Sequence, residues 1–108
     1  MANTFKLKTK ANVGVTTTAV YVAPGSTTTV VIGITASNTS GNNINVGIGI
    51  TRASADDIHL MKNVPIPQGS SFEFMQGNKI VLETTDTITA KSDVASSLDI
   101  ALTIMEIT

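Results

Sequence analysis

The chain has 108 residues, 42% of them hydrophobic and only 14% charged, with a formal net charge of −1. That length fits one domain with a real but modest core. Near-neutral charge gives no global pull toward nucleic acid or an anionic membrane, and the absence of cysteine excludes a disulfide framework, a thiolate nucleophile and a thiolate metal site.

The first stretch, "MANTFKLKTKANV", lacks the apolar segment of a secretory signal, and no later run approaches the roughly 20 apolar residues of a membrane helix. A soluble protein made in the cytoplasm is the expectation. Within residues 1–12, Lys6, Lys8 and Lys10 alternate with Leu7 and Thr9. That pattern fits an edge strand protected by lysines or an arm that reaches a neighbour. Residues 13–108 are expected to form a single β-sandwich domain.

"TAVYV" reads as the first strand of that domain, ended by the turn "APGS" at Ala23–Ser26. In "TTVVIGITAS" the alternation places Val30, Ile32, Ile34 and Ala36 on one face. "NTSGNN", Asn38–Asn43, is expected to join this strand to the next as a hairpin. In "INVGIGITR", Ile44, Val46, Ile48 and Ile50 face one way, and Asn45, Gly47, Gly49 and Thr51 the other. "DDIHLMKNV" reads as a strand that "PIPQGS" breaks, because proline cannot donate to a ladder. "SFEFM" and "KIVLE" are then joined by a tight turn at Gln76–Asn78, with Phe72 and Phe74 expected in the core. "TTD", Thr84–Asp86, leads into "TITAK". The last strand, "SLDIALTIMEI", alternates Leu98, Ile100, Leu102 and Ile104 with Asp99, Ala101, Thr103 and Met105. Branched Thr, Val and Ile suit a pleated surface better than a helix. The predicted fold is all-β: an antiparallel sandwich or barrel, Ig-like or jelly-roll-like, of about seven to eight strands.

Catalytic chemistry finds few residues. The single histidine, His59, has no G-x-S-x-G elbow to serve, and "GSS" at Gly69–Ser71 is explained by a turn. Asp56, Asp57 and His59 form the one ligand-like cluster, but successive strand residues point to opposite faces and the run is not an EF-hand loop. "APGSTTT" lacks the lysine of a phosphate-binding loop. No enzyme, metal or cofactor is expected. Aromatic residues are 4% of the chain, too sparse for a nucleic-acid face or an obvious carbohydrate platform, although an exposed Tyr21 would favour the latter. "NTS" at Asn38–Ser40 matches a glycosylation sequon and is read as incidental.

The order of these segments resembles a group of small virion structural proteins of tailed bacteriophages, marine and cyanobacterial phages among them. The resemblance rests on the start "MANTFK", on the Thr-rich strand with its "APGST" turn, and on the apolar strand ending in "NTSG". It continues through Pro65, Pro67 and Gly69, the "GNKIVLE" run at Gly77–Glu83, the acid-led strand from Asp86, and the closing Glu106–Ile107. It covers nearly the whole chain, with "TTD" standing where a Gly-Asp turn is common. The resemblance implies a non-enzymatic virion protein, most simply a capsid decoration or cement protein. Its partner would be the major capsid protein or other virion proteins, and a homo-oligomer, a trimer by analogy, is implied. Phe5, Lys6, Lys8 and Lys10 are the candidate partner-binding residues. A neck, tail or fibre-attachment component is the alternative within the virion. A host-surface or carbohydrate-binding module is the alternative from a different class.

Overall fold

The computed structural model describes residues 3–52, 56–74 and 79–108. Those residues form β1 (Asn3–Val13), β2 (Thr18–Val22), β3 (Thr28–Asn38), β4 (Ile44–Thr51), β5 (Ile58–Ile66), β6 (Ser71–Phe74), β7 (Ile80–Leu82), β8 (Thr87–Ser92) and β9 (Leu98–Ile107). Among the described residues there is no helix, and so none long and apolar enough to cross a membrane.

Two antiparallel sheets pack as a sandwich. The first runs β1-β9-β3-β6, with β7 also on β3; the second runs β2-β8-β4-β5. The core between them is aliphatic. Ile44, Val46, Ile48 and Ile50 of β4 face Leu98, Ile100, Leu102 and Ile104 of β9 across it, all buried. Period-two burial in β4 and β9 follows the alternation of their sequences. Among the described residues the strands number nine because β6 and β7 pair with successive stretches of β3, Phe72 opposite Ala36 and Val81 opposite Val30. Together they act as one interrupted edge strand. The expected turn at Gln76–Asn78 lies outside the described residues.

Four expectations are corrected. In β3 the buried apolar side chains are Val31, Ile34 and Ala36, while Val30 and Ile32 are only half-buried. The pairing with β9 jumps from Val31–Ile104 to Gly33–Thr103, so Ile32 is an extra residue. That bulge changes the parity of the strand partway along. "NTSGNN" is not a hairpin, because β3 and β4 belong to different sheets. The segment instead carries the chain across the sandwich. Pro65 does not end β5, which continues to Ile66; β5 is an edge strand, where a missing N–H is tolerated. Phe72 is not core. It faces inward beside Ala36 yet stays 38% exposed, because β6 is at the sheet edge. The side chain of Phe74 lies outside what the structure describes.

The crossing is organised by Asn38, which is buried. Its Nδ2 donates to the carbonyl oxygens of Asn42 at 2.7 Å and Ile66 at 3.0 Å. Its Oδ1 accepts from the Ser40 N–H at 2.9 Å and the Ser40 hydroxyl at 2.8 Å. A glycan on this nitrogen would leave it a single N–H and remove one of the two donations, so the buried Asn38 is explained by its structural role. Asn38→Ala leaves two carbonyls without their donor and is expected to cost about 2 kcal/mol. Chemical denaturation should show a lower midpoint with an unchanged slope.

Candidate assembly surface

β1 is an edge strand, paired with β9 from Asn3–Ile107 to Val13–Leu98. Its register decides what each side chain can do. Lys6, Lys8 and Lys10 stand opposite Ile104, Leu102 and Ile100, so they share the inward face of the sheet. Inward-pointing charge at an edge discourages a further strand from adding there. Phe5 and Leu7 stand opposite Met105 and Thr103 and face outward, 70% and 66% exposed.

The outward face continues from Phe5 across the sheet. Phe5 pairs with Met105, Met105 with Val30, and Val30 with Val81, which is 59% exposed. Four apolar side chains thus line one row across four strands, about 14 Å long at the usual strand spacing. The next row holds Leu7, Thr103 and Gly33, and the one beyond it Thr9, Ala101, Thr35 and Glu73. Among these eleven outward residues Glu73 alone is charged, at the β6 end of the third row and away from the apolar one.

The candidate residues therefore divide. Phe5 belongs to the apolar row. The Lys6 ammonium is 2.8 Å from Glu106 Oε1 and is already engaged within the chain. Lys10 lines a shallow depression with Asp99 and Thr35. Lys8 and Lys10 make no ion pair among the described residues.

Glu106 continues the inward alternation of β9 beyond Ile104 and is buried. Its Oε2 accepts from the Tyr21 hydroxyl at 2.6 Å, across the sandwich from β2. Tyr21 Oη and Thr29 Oγ1 are 2.8 Å apart, and because the phenol proton goes to Glu106, the threonine is the donor. The Lys6 ammonium, followed by the Tyr21 hydroxyl, holds the Glu106 carboxyl below its usual range. Burial, together with the Glu106 carboxylate, pushes the Tyr21 phenol up to about 12. Tyr21 is 6% exposed, so it is not the open aromatic that a carbohydrate platform would want.

His59 is exposed on β5, and Asp57 Oδ1 accepts the Arg52 N–H at 3.0 Å as a local cap. Among the described residues no three potential metal ligands come together. Sequence reasoning placed Met105 on the face opposite the apolar one but did not single it out, and it missed Val30 and Val81 as outward residues. The available signal was the run of apolar residues at outward parity in β9 and around β3. Their alignment into one row depends on inter-strand register.

The fold and its surfaces define a β-sandwich module with buried polar ties between its sheets, at Tyr21–Glu106 and at Asn38–Ile66, and a sheet face crossed by one apolar row. No protein-family model and no curated protein matches the chain. A solved structure of Bacillus endospore appendages, described as a novel family of disulfide-linked pili, shares the fold. It aligns with a TM-score of 0.60 and 14% identity over 99% of this chain and 87% of that one.

Proposed function

We propose that this chain is a non-enzymatic structural protein of a bacteriophage virion, a decoration or cement protein that stabilises the head by binding capsid subunits. The observation that carries this reading is the Phe5–Met105–Val30–Val81 row, an apolar stripe across the outward face of the first sheet. A contiguous apolar row rimmed by threonine suits a protein contact. A module that binds only the assembled shell stabilises it by mass action. Closed self-association, a trimer in this proposal, would sum several weak contacts. The sequence resemblance to small phage virion proteins supports the location.

A second reading stays within the class of assembling structural proteins. Likeness of fold to the Bacillus appendage subunit favours a repeating surface filament, or a neck or tail part of a virion. With no cysteine in the sequence, such an assembly would hold together without disulfides.

Two measurements test the proposal. Quantitative mass spectrometry of purified virions should find this chain at a ratio near that of the major capsid protein; a far lower ratio moves it to the neck or tail, and absence rejects the virion. The paired substitution Phe5→Glu with Val81→Lys should abolish co-sedimentation with heads while leaving the folded monomer intact, since both side chains are exposed. Unchanged co-sedimentation would show that the apolar row is not the contact.

A further inference from the structure

The other side of the sandwich carries a groove that the assembly proposal does not use. Its floor is β4, whose outward positions are Gly47 and Gly49 between the buried Val46, Ile48 and Ile50. Gly47 pairs with Lys91 and Gly49 with Thr89 on β8, while Gly49 also faces His59 on β5. With no side chains on the floor, the neighbouring strands become walls. They enclose a half-open cavity of about 200 Å³ lined by Lys91 and Thr89 on one side and by His59, Lys62 and Asn63 on the other.

The two glycines are there for different reasons. A Cβ on Gly49 would sit 2.8 Å from the Ile58 carbonyl oxygen, so the close approach of β5 demands glycine. A Cβ on Gly47 would meet only the Met61 carbonyl oxygen, at an ordinary 3.6 Å. The fold would accept a side chain at Gly47; the groove would not. Packing therefore explains Gly49 and leaves Gly47 to be explained by the open floor.

Charge says what the groove would take. Lys62 and Lys91 line it and make no ion pair among the described residues. Asp93 also lines it, but its Oδ1 accepts the Asn45 N–H at 2.9 Å, and the Asp93 N–H returns a bond to the Asn45 carbonyl at 3.1 Å. Two free ammonium groups thus outweigh one carboxylate already occupied as a cap. The amide of Asn63 adds neutral hydrogen-bonding groups, and the Thr89 hydroxyl, which donates to the Gly49 carbonyl at 3.3 Å, adds an acceptor. β4 is an interior strand with both sides paired, so no peptide strand can add to it. The volume is below that of sites for drug-sized ligands, about 300 Å³ and above, and suits a single ring.

We infer that this glycine-floored groove binds the acidic unit of an anionic glycan, a sugar ring bearing one carboxylate. The ammonium groups of Lys62 and Lys91 take the carboxylate, the ring lies over Gly47, and Asn63 and Thr89 meet its hydroxyls. This goes beyond the structural role proposed above and occupies the opposite face, so each can fail without the other.

Backbone amide NMR of isotope-labelled protein, titrated with glucuronate, glucose, acetate and inorganic phosphate, tests it. Glucuronate should shift the amides of Gly47, Gly49, Thr89 and Lys91, with weaker shifts from glucose and acetate. Lys91→Glu should weaken glucuronate about tenfold, the worth of one charge-assisted contact. Gly47→Val should fill the floor and remove binding with the melting temperature held. Phe5→Glu with Val81→Lys should bind glucuronate as the parent does. Equal shifts from acetate or phosphate would mean a simple anion cleft and overturn the sugar assignment. Equal shifts from glucose, full binding by both groove variants, or no shifts at all would also overturn it.

Discussion

Replacing Asp86 with alanine should lower the melting temperature by about 15 °C, the counterpart of about 3 kcal/mol in a domain of this size. Asp86 is buried at the turn into β8, where its side chain and its backbone each hold two groups. Its Oδ2 accepts the Glu83 N–H at 3.0 Å and the Arg52 Nε–H at 3.2 Å. Its own N–H bonds the Glu83 carbonyl at 3.0 Å, while its carbonyl accepts the Ala23 N–H at 2.9 Å. The Arg52 guanidinium also pairs with Glu83. The carboxylate therefore ties β4's end to the β7–β8 turn, while the Asp86 backbone holds the segment after β2. Thr85, next to it, holds a positive φ of 70°, which a branched residue adopts only when its neighbours fix it. Alanine removes the acceptor and leaves the Glu83 N–H unsatisfied. The Arg52 contribution is smaller because that side chain is about a third exposed. Asp86→Asn keeps one oxygen for the Glu83 N–H and should lose roughly half as much. Calorimetry on both variants checks the ratio; equal, small losses would show that the turn holds itself.

Strands whose alternation is unbroken could be read directly. β4 and β9 bury the residues their patterns assign, because side-chain parity is a local property of an extended chain. β3 could not be read that way. The extra Ile32 shifts parity, and nothing in "VVIGI" distinguishes a bulged strand from a regular one. The β3–β4 crossing had the same difficulty. "NTSGNN" has the composition of a hairpin, yet the decisive contact is Asn38 to Ile66, 28 residues away.

The surface followed the same division. Exposed lysines alternating along β1 were visible, but their direction was not. Only pairing with Ile104, Leu102 and Ile100 shows that they point toward the inside of the sheet. Phe5 was singled out for a contact and does face outward, but its companions Met105, Val30 and Val81 come from three other strands. Gly47 and Gly49 likewise look like ordinary outward positions in "INVGIGIT". The groove they leave exists only because β5 and β8 raise walls beside them.

Glu106→Ala is expected to be as damaging as the loss of Asp86, about 3 kcal/mol at neutral pH, and to change how the protein responds to acid. The Glu106 carboxylate accepts from β2 through Tyr21 and from β1 through Lys6, and the Thr29 hydroxyl of β3 completes the cluster. Removing it leaves the buried Tyr21 hydroxyl without an acceptor and frees the inward ammonium of Lys6. Edge strand β1, otherwise held mainly by its ladder with β9, should show faster amide exchange first. Because the native carboxyl titrates below its usual value, the parent is stabilised above that unfolded value and loses the contribution as pH falls through the lower, folded one. Glu106→Gln should lack this acid limb while keeping an acceptor for Tyr21. The phenol works in the opposite direction. Its pKa is raised from 10.0 to about 12, so its contribution is whole below 10.0 and is lost as pH rises through about 12. The lost stability is about 2 kcal/mol after allowance for partial solvation. One tyrosine and no tryptophan make phenolate absorbance a clean probe of this site. In Glu106→Ala the phenol should titrate closer to its ordinary value, since its anionic neighbour is gone. An unchanged titration, with β1 exchange also unchanged, would mean that the carboxylate neither raises the phenol nor anchors the strand that presents Phe5.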